Sequence, residues 1–134
     1  MMTPVTLEIN SEKRIHFIGI TEKIQGLVKG LGIKEGMASI FIPHTTAAVT
    51  INENADPDVV RDLIAGLERL VPLKGDYLHG EGNSDAHIKA SLMGSSVSVF
   101  ISGGRLMLGT WQGIFFCEFD GPRKRKALVR IEGA

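Results

Sequence analysis

Val97-Ser98-Val99-Phe100-Ile101-Ser102-Gly103-Gly104-Arg105-Leu106-Met107-Leu108-Gly109-Thr110-Trp111-Gln112 opens the part of the chain that decides the fold class. Val97 to Ile101 reads as a strand, Gly103-Gly104 as a hairpin turn, and Leu106 to Leu108 as the strand that returns. Two more strand-like runs follow, Trp111 to Phe119 and Ala127 to Ile131. Four strands in succession do not belong to the βαβα alternation of a doubly wound fold.

Upstream of this block the pattern changes. Val5-Thr6-Leu7-Glu8-Ile9 alternates apolar and polar residues, as a half-buried strand does. Asn10-Ser11-Glu12-Lys13 reads as a turn, and Ile15-His16-Phe17-Ile18 as a second strand, the hairpin partner of the first. Thr21 is placed to cap a helix carrying Ile24, Leu27, Val28 and Leu31, with Gly32 just past its end. Met37 to Ile42 and Ala47 to Ile51 are short apolar runs suited to buried strands. Asp56-Pro57 marks a helix start, and Val59, Val60, Leu63, Ile64, Leu67 and Leu70 supply its stripe until Pro72. Leu73 to Asn83 reads as loop, and Ser84 can cap a short helix through Met93, closed by Gly94. The order β-β-α-β-β-α-(α)-β-β-β-β is that of an α+β protein, a single domain over residues 1–134.

Composition narrows the partners. The chain has 134 residues, is 43% apolar and balances 15 Lys+Arg against 15 Asp+Glu. Nucleic acid and membrane surfaces reward a surplus of positive charge, which is missing, so neither is expected as a partner. No stretch reaches the roughly 20 apolar residues of a membrane span. Met1 to Val5 turns acidic at Glu8 and lacks a signal-peptide core. Cys117 is the lone cysteine, so no internal disulfide forms and the cytoplasm is the expected compartment. It lies within Ile114-Phe115-Phe116-Cys117-Glu118-Phe119, which suits an inert core thiol.

Polar residues concentrate in three places: Pro43-His44-Thr45-Thr46 continuing to Asn52-Glu53-Asn54; His79 through His87; and Gly109-Thr110-Trp111-Gln112-Gly113 with Glu118, Asp120 and Arg123 beyond. His44, His79 and His87 are candidates for a shared metal or phosphate site, since neutral imidazole ligates zinc and similar ions and also shuttles protons. The plainer alternative is three separate hydrogen-bonded histidines, and no CxxC or HExxH spacing decides between them. His16, in an alternating strand, reads as solvated. Asp85 could orient a histidine or bind metal, or simply favour the first turn of its helix. Glu53 could be a ligand or general base, or a solvent-facing strand end. Asp56 and Ser84 read as caps. Arg123 and Arg125 would share one strand face and could clamp phosphate through their guanidinium forks. The alternative for the basic run Arg123 to Lys126 is a charged edge strand.

Taken together, these segments resemble the YjbQ-like family, also called secondary thiamine-phosphate synthases. The resemblance rests on His44-Thr45-Thr46-Ala47 with Ile51-Asn52-Glu53, on Asp56-Pro57 and Asp62, and on His79 with Asp85-Ala86-His87-Ile88-Lys89-Ala90. It is strongest in Ser102 through Gln112 followed by Asp120-Gly121-Pro122-Arg123, and it spans nearly the whole chain. It implies a large curved mixed or antiparallel sheet with two to three helices packed on it, assembled as a homotrimer. It further implies that the histidines gather in one pocket that can hold a divalent metal ion.

The resemblance also implies a reaction that joins a pyrimidine diphosphate to a thiazole phosphate and releases diphosphate. A transferase of that kind needs a cation and arginines at the diphosphate. Expected catalytic residues are Glu53, Asp85 and Gln112. Arg123, Arg125, Thr45, Thr46 and Trp111 are expected at a phosphorylated substrate, with Trp111 or Phe41 as the flat wall. His44, His79 and His87 would hold the metal: zinc or a similar ion from the imidazole ligands, magnesium for the diphosphate. Two other readings stand beside this one, a metal-dependent hydrolase of a small phosphorylated or amide substrate and a non-catalytic binder of a small anionic metabolite.

Overall fold

The computed structural model describes residues 3–134. Its elements are β1 (Val5–Asn10), β2 (His16–Gly19), α1 (Thr21–Leu31), β3 (Gly36–Phe41), β4 (Ala47–Glu53), α2 (Pro57–Leu70), α3 (Ser84–Met93), β5 (Ser96–Ser102), β6 (Arg105–Leu106), β7 (Gln112–Glu118) and β8 (Lys124–Gly133). The α+β class and the order of elements are as read from the sequence. The strands form two sheets, β1-β8-β3-β5-β6 and β2-β7-β4, and every pairing is antiparallel.

The expected β1–β2 hairpin does not form. β1 pairs with β8 and β2 with β7, so the segment between them carries the chain from one sheet to the other. Ser11 fastens that crossing: its backbone N–H donates to the Arg123 carbonyl (3.0 Å) and its hydroxyl donates to Glu118 Oε1 (2.7 Å).

The layers explain the sequence patterns. The inner face of the five-stranded sheet (Ile9, Ala38, Ile40, Val99, Ile101, Val129, Ile131) packs with Ile24 and Val28 of α1 against Val49, Ile114 and Phe116 of the second sheet. The opposite face of that second sheet (Phe17, Ala48, Phe115, Cys117), with Phe119 just past β7, is covered by Ala86 and Ala90 of α3 and by Val60, Leu63, Ile64 and Leu67 of α2. β7 is therefore buried on both sides, which is why it reads as a continuous apolar run. Burial raises the Cys117 thiol far above its ordinary range, in keeping with an inert core thiol.

Two caps differ from expectation. Ile20 occupies the N-cap of α1, and Thr21 instead accepts the Ile114 N–H on its Oγ1 (2.8 Å). Asn83, not Ser84, is the N-cap residue of α3, and its side chain makes no capping bond. Asp56 does cap α2, accepting the Asp58 N–H at 2.9 Å with Pro57 as the first helical residue. Gly103 and Gly104 both adopt positive φ (60° and 78°), the conformation of a tight hairpin turn between β5 and β6.

A row of clefts lined by histidines

His44 stands in the link that leaves β3 and enters β4. The β3–β8 ladder pairs Phe41 with Leu128, so its register, continued by two places, sets Pro43 opposite Lys126. The Lys126 N–H finds its acceptor in a side chain, donating to His44 Nε2 at 3.0 Å. An acceptor nitrogen carries no proton, so the neutral ring holds its proton on Nδ1, and Nδ1 has no partner among the described residues. Burial lowers the His44 pKa and the nearby Arg125 charge lowers it further.

His44 is the wall between two open clefts. One, of about 400 Å³, runs over the outer face of β1 and β8 and is lined by Thr6, Glu8, Asn10, Lys124 and Lys126. The other, of about 470 Å³, is lined by Thr45, His87, Ser91 and Ser95. His87 is in turn shared with a third cleft containing His79, Tyr77, Leu78 and Ile88. The His79 and His87 rings meet edge to face with centroids 5.3 Å apart. The three histidines thus lie along one groove, in the order 44, 87, 79.

They are not one ligand set. Among the described residues no group of three or more His, Cys, Asp or Glu side chains is placed to hold a metal ion. His44 makes the reason concrete. Its Nε2 is occupied by a backbone donor, and its Nδ1 would have to lose the ring's remaining proton to ligate.

The other expected site residues are placed as follows. Arg125 faces inward and is buried: Nε donates to Glu118 Oε1 (2.8 Å), and Nη2 bonds Glu118 Oε2 and Thr46 Oγ1 (2.7 Å). The expected strand alternation is present, but this face of β8 is the core side, so the Arg125 guanidinium is committed to Glu118 while the residue borders the cleft over β1 and β8. Thr46 is buried as its partner, while Thr45 stays exposed in the cleft. Glu118 is pushed up by burial, yet hydrogen bonds from Arg125, Ser11 and the Asp120 N–H outweigh that and hold its pKa below the usual value. Arg123 is partly exposed and folds back on Asp120, its Nη2 3.0 Å from Oδ2.

Asp85 is buried against Lys89 and Arg14, so it does not face any cleft as a catalytic group. Glu53 and Gln112 are register partners at the far end of the second sheet, beside exposed Trp111. Gln112 Oε1 accepts the Gly109 N–H at 2.7 Å. At about 3.3 Å per residue along β4, that end lies roughly 20 Å from the His44 end. Phe41 is exposed on the outer face of the five-stranded sheet.

Sequence reading missed Lys124 and Lys126, which appeared only as edge charges, and it missed Lys89. The signal for Lys89 was its i,i+4 spacing from Asp85 on a helix.

The profile of the UPF0047 protein YjbQ-like family matches residues 5–134. A UPF0047 protein of Methanocaldococcus jannaschii is 51% identical over 126 residues, covering 94% of this chain and 91% of its own. YugU, a UPF0047 protein of Bacillus subtilis, is 47% identical over 129 residues, covering 96% and 98%. A solved YjbQ/UPF0047 family protein of Clostridium acetobutylicum, described as an uncharacterized conserved protein, superposes with a TM-score of 0.94 at 54% identity, covering 96% of this chain and 99% of its own. A hypothetical protein of Aeropyrum pernix has the same fold at a TM-score of 0.93 and 33% identity, covering 99% and 100%.

These findings overturn the thiamine-phosphate synthase reading. The relatives carry a family designation with no activity attached. Arg125 and Asp85, which that reading places at the reacting groups, are committed to buried ion pairs. What the match over residues 5–134 and the superposition do establish is that this chain belongs to the UPF0047 protein YjbQ-like family.

Proposed function

We propose that the groove from Lys126 through His44 and His87 to His79 takes a small phosphorylated molecule, to which the His44 Nδ1–H donates a hydrogen bond. The observation that carries this reading is the Lys126 N–H to His44 Nε2 bond. It fixes one tautomer and leaves Nδ1–H as an uncommitted donor, while burial and Arg125 keep the ring neutral near pH 7. Lys124 and Lys126 line the same cleft and outnumber Glu8, its one carboxylate. Thr45, Ser91 and Ser95 add hydroxyls for phosphate oxygens.

Titration of the untagged protein with inorganic phosphate and with a simple sugar phosphate tests this, followed by the histidine ring resonances. Saturable shifts at His44 and His87, lost in His44→Ala, are expected. Unchanged resonances at millimolar ligand overturn the reading. Elemental analysis of the same preparation, beside His79→Ala and His87→Ala, tests separately whether zinc, nickel or magnesium accompanies it.

The assembled state belongs to the same proposal. The outer face of the five-stranded sheet is uncovered, and Met37, Phe41, Phe100 and Met107 are exposed on it, with Met37 and Phe100 paired in register. Large exposed apolar residues grouped in this way mark contact surfaces. The homotrimer that the sequence resemblance implies would cover them. Among the described residues no helix is long and apolar enough to cross a membrane. The single buried thiol suits a cytoplasmic, reducing setting.

A further inference from the structure

Helix α3 is built inside out. Its inward side carries Asp85 (1% exposed) and Lys89 (0%), whereas Ile88 (40%) and Leu92 (62%) stand toward solvent. A surface helix ordinarily does the reverse. Lys89 Nζ donates to Asp85 Oδ2 at 2.7 Å and to Glu68 Oε1 at 3.2 Å. Arg14, in the segment leading into β2, donates through Nη1 to the same Asp85 oxygen (3.1 Å) and through Nη2 to the same Glu68 oxygen (2.6 Å). Two cations and two carboxylates alternate and cancel, and they tie α3 at once to α2 and to the entry of the second sheet.

Asp85 and Lys89 are the buried half of this set, while Arg14 and Glu68 close it from the half-exposed side; apolar residues of similar volume in place of a buried ion pair are often neutral or more stable. What the charged set adds is direction. An apolar contact tolerates sliding, but a closed ion cluster has one arrangement in which each cation keeps both carboxylates. The buried apolar side chains of α3, Ala86 and Ala90, are too small to lock a register by themselves. His87 lies between Asp85 and Lys89 in the chain and is half-buried on the cleft side of the helix. A slip of one residue would swing it by about 100° around the axis, away from His79 and from the wall it forms with His44.

We propose that Arg14, Glu68, Asp85 and Lys89 are positioning residues: their cluster holds α3 in the single register that sets His87 against His79 and at the junction of two clefts. The inference rests on the groove being a ligand site, but its geometric content can be read without any ligand.

The test compares wild type with the double variant Asp85→Leu/Lys89→Met and with Glu68→Gln. Three readouts are taken: thermal unfolding, the nuclear Overhauser contact between the His79 and His87 rings, and the affinity for inorganic phosphate. The double variant is expected to unfold within a few degrees of wild type, to lose the His79–His87 contact, and to bind phosphate at least tenfold more weakly, with His44 resonances unchanged. Glu68→Gln, which leaves the Lys89–Asp85 pair in place, is expected to weaken the ring contact and keep the fold; it carries the test if the double variant does not fold. A folded variant of either kind that keeps the ring contact overturns the positioning role. If wild type binds no phosphate while the variants lose the ring contact, the ligand reading falls and the positioning inference stands.

Discussion

At the scale of single residues, His44 and Glu118 set how the molecule responds to acid. His44 has a folded-state pKa below the unfolded value of about 6.5. Between the two values the unfolded chain binds more protons, so stability falls as pH drops through about 6.5 and levels off below the folded pKa. Urea unfolding between pH 8 and pH 5 should show this slope, and His44→Asn should flatten it. Glu118 is also held low, so its contribution is present above the usual carboxylate range and is lost only in stronger acid. Glu118→Gln leaves the buried Arg125 guanidinium without a charge partner and should cost about 3–5 kcal/mol, measured as a lower urea midpoint at pH 7. None of this was visible in the basic run 123–126 read alone. Alternation told which residues share a face, but not that this face is the core.

At the scale of elements, local chemistry was legible wherever a device acts within a few residues. Asp56-Pro57 announces α2 and caps it. Asp56→Ala should destabilise by about 1 kcal/mol, and a two-state thermal comparison with wild type reads it directly. Gly103-Gly104 announces its turn because both residues need positive φ. Gly36 adds a demand that no local reading shows: a Cβ there would run into the Glu132 carbonyl across the β3–β8 ladder. The failures are of the same non-local kind. Ile15 to Ile18 looked like a hairpin partner for β1, but the partner of β1 is the last strand, and Val5 pairs with Val129. Thr21 has the chemistry of a cap, yet a sheet N–H from Ile114 claims its hydroxyl.

At the scale of the whole molecule, the sequence brought His44, His79 and His87 into one region, and the folded chain arranges them along one groove. It did not separate them from Glu53, Trp111 and Gln112, because β4 carries the two polar clusters to opposite ends of one sheet. The uncovered outer face leads to a prediction about mass. Sedimentation should give about three chain masses, and Phe100→Asp with Met107→Asp should reduce this to one while leaving the circular dichroism of the fold intact. A single-chain mass for the unmodified protein would remove the trimer. Neutral net charge fits such association, since copies do not repel one another strongly.

The bond from Lys126 to His44 also turns one backbone amide into a gauge. An amide held by a carbonyl in mid-ladder exchanges with deuterated solvent only when the strand opens. The Lys126 amide is released whenever the imidazole takes a proton or turns toward a bound molecule, while its strand neighbours stay shut. Its exchange rate relative to that of Leu128, which pairs with Phe41 two places further along β3, would rank candidate ligands with no label attached and no turnover to follow.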